Sequence, residues 1–304
     1  MRNCFSYHPA RISFIFKFIL MFQLMMALAY PATAQVVGGD LYYSNISPGK
    51  YEITLNVFSS CLDKTASETQ TIVAFESQSY KAFPPLQLKL QPSETKATIL
   101  PVPCSQQQGC IALAVYKGQM NLMPVIGGYN IVWSSCCIQS VIANVNVLKR
   151  TGFNLLAHIP GNDITGSNSM PAFNEIPVTS VCKNLMSIIN LAGVDKDGDS
   201  LVYELQTPFA VNSPQSFLAN SNMDSRANNM LPAPPPYPSM QLSDGYSEAE
   251  PLGKKAIRLN NKNGILQIVP SVPGNYLLGF CIKEYRKSNL LSTHQRVILI
   301  TVNP

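Results

Sequence analysis

The ten residues KYEITLNVFS at positions 50–59 decide the fold class, because apolar and polar side chains alternate along them. A two-residue period puts one set of side chains on a core and the other set on the solvent side, as in a β-strand. The same alternation recurs twice further along the chain. The apolar positions are Tyr51, Ile53, Leu55 and Val57, then Leu86, Leu88 and Leu90, and finally Tyr276, Leu278, Phe280 and Ile282.

Shorter runs of β-forming residues occur between these stretches, at 71–75, 111–116, 129–133, 200–205 and 295–302. Clusters of Pro, Gly, Asn and Ser separate them at intervals typical of β-sandwiches, and no long segment has helical spacing. The sequence therefore predicts an all-β protein made of two antiparallel β-sandwich domains. We place the first at 35–155 and the second at 172–304. A linker at 156–171 contains PGNDITGSNS, and a Pro-, Asn- and Ser-rich insertion with little core-forming content covers 208–252.

The first 34 residues have the three parts of a secretion signal. Arg2 and Arg11 supply positive charge, residues 18–29 are apolar apart from Gln23, and Ala32-Thr33-Ala34 has the small side chains that signal peptidase accepts. We predict cleavage after Ala34. The competing interpretation is an uncleaved membrane anchor, but the apolar run is shorter than the ~20 residues that a spanning helix needs.

Charge excludes some classes of partner. Removing residues 1–34 takes away three basic residues and no acidic ones, so the formal net charge falls from +5 to +2. No cluster of Lys and Arg interleaved with aromatic residues indicates nucleic acid, and no later apolar run is long enough to span a bilayer. We therefore expect neither a nucleic-acid partner nor a transmembrane segment in the mature chain.

Seven of the eight cysteines lie beyond the signal, where export would expose them to oxidation. Zinc is a poor alternative because there is no Cys-x-x-Cys spacing. Cys104 and Cys110 flank a short loop and form a possible pair, and the second domain holds only two cysteines, Cys182 and Cys281, which we predict to be bonded to each other. The odd count leaves one cysteine unpaired or paired between molecules. The partners of three cysteines stay open: Cys61, Cys136 and Cys137.

The densest group of carboxylates is Asp195-Lys196-Asp197-Gly198-Asp199. Hard cations such as calcium prefer several oxygen ligands, and Asp195, Asp197 and Asp199 can present three carboxylates around one turn. The spacing is not that of an EF-hand, because the glycine falls too early and a Glu is missing from the end of the loop. The alternative is a polar turn in which the aspartates cap their own backbone. Calcium is the only cofactor that the sequence suggests.

No motif indicates catalysis. The mature chain has two histidines, His158 and His294, and the second stands at a strand start where a surface histidine is the ordinary expectation. Trp133 lies in an alternating strand and is predicted to belong to the core. A carbohydrate-binding module would instead use exposed aromatic side chains such as Tyr42, Tyr43 or Tyr237. An envelope polysaccharide hydrolase would need two suitably placed carboxylates, and no particular pair stands out.

Five blocks in register carry a family resemblance. They are VVGGDLYY at 36–43, KYEITLNVFSSC at 50–61, GGYNIVWSSCC at 127–137, DKDGDSLVYEL at 195–205, and the stretch from NGILQIV to VILITV at 263–302. Together they resemble the N-terminal module of gliding motility-associated, PKD-domain-containing surface proteins of Gram-negative bacteria. The last block also resembles an Ig-like domain of bacterial surface proteins, and the acidic turn resembles that of cadherin-like repeats, some of which bind calcium.

The resemblance implies an exported protein of the outer cell surface, the extracellular space or the periplasm. It implies Ig-like sandwich domains, no catalysis, and an adhesive or structural role toward a surface protein or glycan. The carbohydrate-binding module and, less strongly, the hydrolase are the alternative functions.

Overall fold

The computed structural model describes residues 36–60, 66–102, 104, 109–135, 138, 141–146, 152–161, 166–211 and 231–304. Every regular element in these ranges is a β-strand, so the all-β prediction is confirmed. The predicted signal at 1–34 lies outside the described residues, as do Cys61, Cys136 and Cys137 and part of the predicted insertion, residues 212–230.

The described residues form eighteen strands, of which the first eight lie in the N-terminal half of the chain. These are β1 (Val36–Ser47), β2 (Lys50–Ser60), β3 (Thr69–Glu76), β4 (Leu86–Leu90), β5 (Lys96–Leu100), β6 (Gly109–Asn121), β7 (Tyr129–Ser135) and β8 (Phe153–Ile159). The second half begins with short strands and ends with two long ones. These are β9 (Ala172–Phe173), β10 (Ser180–Cys182), β11 (Ser187–Asn190), β12 (Gly193–Val194), β13 (Ser200–Leu205), β14 (Phe209–Ala210), β15 (Ile257–Leu259), β16 (Ile265–Ile268), β17 (Gly274–Arg286) and β18 (Asn289–Asn303).

Most of the described strands belong to one large sheet in the order β13-β17-β18-β1-β2-β6-β4-β3-β7-β8-β14, to which β5 adds beside β6 and β10 beside β18. The pairing is antiparallel except between β10 and β18. The sheet curls until β8 packs against β1 and β18. A smaller sheet, β11-β16-β15, lies apart from it, and β9 pairs with β12.

Two hydrophobic cores share the strands β17 and β18. On β18, Val297 and Leu299 point into the core enclosed by the curled sheet, whereas Ile298 and Ile300 point into a second core that includes Leu266 of the small sheet. Successive side chains of a strand point to opposite faces, so a strand with a core on each side is apolar at consecutive positions. This explains the unbroken apolar run VILI at 297–300.

The expected division into two sandwich domains is not confirmed, because residues 34–304 form one compact unit. The first strand pairs with the last, with Gly39 opposite Val297. Within the predicted linker, residues 156–159 belong to β8, and Asn168, Ser169 and Met170 are buried. The described part of that segment therefore lies inside the fold.

The described end of the predicted insertion, residues 231–252, contributes more to the cores than its composition indicates. Met240 is buried in the first core and Leu252 in the second. A backbone hydrogen bond from Met240 N to Pro208 O and an isolated bridge between Val145 and Leu242 attach the segment to the sheet.

The predicted bond between Cys182 and Cys281 is wrong, because Cys182 is bonded to Cys104, with the two Cα atoms 5.8 Å apart. Cys182 stands opposite Asn303 on one side of β18, and Cys281 stands opposite Gln295 on the other side. Eight positions along a strand correspond to about 26 Å, which is far beyond the reach of a disulfide. Cys281 is a buried free thiol.

The possible pair Cys104–Cys110 is wrong for the same reason, since Cys104 is already bonded. Cys110 is itself disulfide-bonded. The Cys104–Cys182 bond joins residues 78 positions apart, so it ties the two expected domains together rather than closing a short loop.

Candidate functional site

The acidic turn lies between β12 and β13 and is built around Asp195. Its Oδ1 atom accepts hydrogen bonds from the backbone N–H groups of Asp197 (3.0 Å) and Asp199 (2.8 Å). Gly198 has φ +82°, a left-handed conformation that glycine adopts without steric cost. The polar turn that caps its own backbone is therefore present, and it directs the remaining carboxylate oxygens toward one region.

A fourth carboxylate, that of Glu284 on β17, joins the three aspartates. One oxygen from each of Asp195, Asp197, Asp199 and Glu284 lies within 4.8 Å of the others. The sheet register explains this, because β13 begins with Ser200 opposite Tyr285 and so brings the turn to this end of β17. Sequence reasoning missed Glu284, although a signal was available. Glu284 follows Tyr276, Leu278, Phe280 and Ile282 on the same face of the strand, so an acidic side chain was to be expected in a buried position.

Glu284 is wholly buried. Its Oε2 atom accepts hydrogen bonds from Asn168 Nδ2 (3.0 Å) and from the Ser292 hydroxyl, whereas Oε1 has no partner. Burial and the nearby charge of Asp195 together raise the pKa of Glu284 to about 8, although the two hydrogen bonds from Ser292 and Asn168 lower it. The Oδ2 atom of Asp195 is likewise buried without a partner.

Arg286 closes the outer side of the cluster. Its Nε and Nη2 atoms donate to the two carboxylate oxygens of Asp199 at 2.8 and 2.5 Å, and Nη2 lies 3.9 Å from Asp197. The guanidinium also donates to Asn168 Oδ1 (2.9 Å) and to Ser167 O (3.2 Å). The hydrogen bond from Arg286 lowers the pKa of Asp199. The outer aspartates are thus neutralised in part by a side chain of the protein itself.

A second charged group is buried where β1 meets β18. Arg296 donates to Asp40 Oδ2 through Nε (2.7 Å) and to Glu175 O through Nη1 (2.7 Å), while Asn56 Nδ2 donates to Asp40 Oδ1 (2.8 Å). Burial alone would raise the pKa of Asp40, but the charge of Arg296 and interactions with His294 outweigh it and lower the pKa to about 2. Nothing in the sequence patterns singled out this group.

The two mature histidines both hold fixed contacts. His294 is fully buried, contrary to the surface position expected, and its Nδ1 atom lies 2.7 Å from Pro171 O. Its ring is covered by the rings of Tyr42 and Phe173, whose centres lie 5.4 and 4.8 Å away. His158 is half-buried, and its Nδ1 atom lies 3.0 Å from Asn130 Oδ1. Burial lowers the pKa of His158.

The aromatic residues considered for glycan binding do not form an exposed platform. Tyr43 is fully buried and packs edge-on against Tyr51, while Tyr42 is half-buried beside His294. Tyr237 is half-buried, 6.5 Å from the ring of Phe209. The prediction that Trp133 belongs to the core is confirmed: it is 1% exposed, and its Nε1 donates to Gln70 Oε1.

No family model, no curated protein and no solved structure matches this chain. Among the residues that the structure describes, no helix is long and apolar enough to cross a membrane.

Proposed function

We propose that this chain is an exported, non-enzymatic β-protein of the cell surface or envelope with a structural or adhesive role. The observation that carries the proposal is the disulfide between Cys104 and Cys182, together with the second disulfide at Cys110. Disulfides persist in oxidising compartments outside the cytoplasm. Their presence agrees with the predicted signal at residues 1–34.

The alternative functions find less support in the described residues. Glycan binding would need exposed aromatic rings, but the three tyrosines considered for it pack against neighbouring side chains. A hydrolase would need a carboxylate pair that a polysaccharide can reach. At the acidic cluster, the innermost carboxylate, Glu284, has no exposed surface.

Fractionation of the producing cell tests the proposal. The mature chain should be recovered from the envelope or the medium, with Gln35 at its N-terminus and with a peptide that joins Cys104 to Cys182 under non-reducing conditions. A matched variant, Ala32→Arg with Ala34→Arg, should retain residues 1–34, because signal peptidase requires small side chains at those positions. Wild-type chain found in the cytoplasm, reduced and starting at Met1, would reject the proposal.

A further inference from the structure

We propose that the acidic cluster binds one divalent cation, calcium being the best match, with Asp195 and Glu284 as its inner ligands. The ion would fasten the turn between β12 and β13 to β17. This inference goes beyond the proposed function and does not depend on where the protein resides, since it concerns the folded chain alone.

The first argument is the pair of unpartnered oxygens. Asp195 and Glu284 each have one carboxylate oxygen held by hydrogen-bond donors and one buried oxygen, Oδ2 and Oε1, without a partner. Buried polar atoms are rarely left unsatisfied, because the loss of hydration is then uncompensated. Two such oxygens in one cluster of four carboxylates require a positive charge or a proton there.

The second argument is the charge balance. Four carboxylates converge here, and Arg286 is the described side chain that supplies positive charge to them. Lys196 lies within the turn, but its Nζ atom contacts Ser44 Oγ at 3.2 Å. Arg286 also sits on the outer aspartates, with its closest contact to Asp199. The excess negative charge is therefore on the inner side, where the two unpartnered oxygens lie.

The chemistry of the donors favours calcium. All four candidate ligands are carboxylate oxygens, which hard cations prefer, and calcium accepts six to eight oxygens in irregular arrangements. Magnesium demands a near-octahedral shell and keeps several waters, which suits the buried side of Glu284 poorly. Zinc prefers nitrogen and sulfur ligands, and the cluster contains neither.

The position of the cluster explains what the ion would do. Ser169 N donates to Asp197 Oδ2 at 2.6 Å, and Ser169 Oγ accepts from Asn45 N of β1. Asn168 contacts Glu284 and the hydroxyl of Tyr43. The turn, the segment at 167–169, β1 and β17 thus meet at one point, and a cation bound there would hold all four together.

Calorimetry and thermal melting of the full chain, stripped of metal with EDTA, test the proposal. Calcium at about a hundredfold excess over its dissociation constant should raise the melting temperature by roughly 5 °C or more, and magnesium should do less. Terbium, a luminescent substitute for calcium, should be sensitised through tyrosine, because Tyr43 lies next to the cluster, and calcium should displace it.

Two variants and a control make the test specific. Glu284→Gln keeps the shape of the side chain, removes its charge and should weaken calcium binding at least about tenfold, and so should Asp195→Asn. Glu204→Gln removes an exposed acid that pairs with Lys283 on the neighbouring strand, and it should leave calcium binding unchanged. If Glu284→Gln does not fold, Asp195→Asn and the terbium signal of the wild type still decide.

Several results would overturn the proposal. Wild-type protein that shows neither a calcium-dependent melting shift nor terbium luminescence would mean that the inner carboxylates share a proton instead. Unchanged calcium binding in both Glu284→Gln and Asp195→Asn would place any calcium site elsewhere. A larger stabilisation by magnesium than by calcium would reject the assignment of the ion.

Discussion

Arg296 shows how much a single buried charge depends on its partners. The residue is 2% exposed, and its guanidinium donates to Asp40 and Glu175 and lies 4.0 Å from the ring centre of Phe173. Asp40 is fully buried. Moving two ions out of water costs several kcal/mol each, and only close contacts offset that cost. The pair therefore joins the first strand to the last. Removing either side chain would leave the other charge buried without a counter-ion, which is strongly destabilising.

Replacing Arg296 by Met should destabilise the protein by about 3–5 kcal/mol, because Asp40 would stay buried without its counter-ion. Urea unfolding at neutral pH measures the loss. The matched control is Lys283→Met, which breaks an ion pair with Glu204 whose side chains are 29% and 44% exposed. That change should cost less than about 1 kcal/mol.

A double variant tests the stated reason. Adding Asp40→Asn to Arg296→Met removes the unpaired buried charge, so part of the lost stability should return. If the free energy of unfolding of Arg296→Met lies within about 1 kcal/mol of that of the wild type, the pair stabilises the contact between the two strands less than its burial indicates.

At the scale of elements, β10 is a strand of three residues that gains its importance from Cys182. It runs parallel to the end of β18, with Cys182 opposite Asn303. Cys104 stands just before β6 in the chain, so the disulfide attaches β10 to the other half of the protein. Short strands form few backbone hydrogen bonds, and a covalent bond compensates for this by restricting the unfolded chain.

Loss of this disulfide should be costly. The double variant Cys104→Ser with Cys182→Ser should lower the free energy of unfolding by about 4.5 kcal/mol, as the chain-entropy relation gives for a loop of this length. Denaturant unfolding without reductant measures it. Cys281→Ala is the matched control, since its thiol forms no disulfide, and it should cost far less. A peptide map that joins Cys182 to Cys281 would contradict the assignment.

At the scale of the whole molecule, β17 and β18 separate the two cores and contribute side chains to both. Leu277 and Val297 face the core of the curled sheet, whereas Leu278 and Ile298 face the core shared with the small sheet. Neither core is complete without these two strands, and Phe58 of β2 belongs to the second core although it comes from the first half of the chain. The two halves should consequently fold as one cooperative unit.

A fragment comprising residues 35–161 should fail to fold alone. It lacks β18, the partner of β1, and the side chains that β17 and β18 add to its core, so its apolar surface would stay exposed. Circular dichroism and thermal melting of the fragment should show no cooperative transition, whereas the chain 35–304 should show one. A fragment that melts cooperatively, or two separate transitions in the longer chain, would support two independent domains after all.

The acidic cluster was predictable in part. Asp195, Asp197 and Asp199 stand close in the sequence, and the glycine between them indicated the turn that brings them together. Glu284 is remote in the chain, and only the antiparallel register of β13 on β17 places it beside the turn. Arg286, which neutralises the outer aspartates, follows from the same register.

The sequence by itself determined local features. Its two-residue alternation indicated the individual strands, and its pattern placed Trp133 in a core. The tertiary structure decided which strands become neighbours. The consecutive apolar residues of β18 indicate burial on both faces, but not that the two faces belong to two cores built from both halves of the chain. The predicted pairing of Cys182 was wrong for this reason, and the division into two domains is not confirmed. Periodicity reports which side of a strand is buried, whereas sheet order and disulfide partners depend on contacts between residues far apart in the chain.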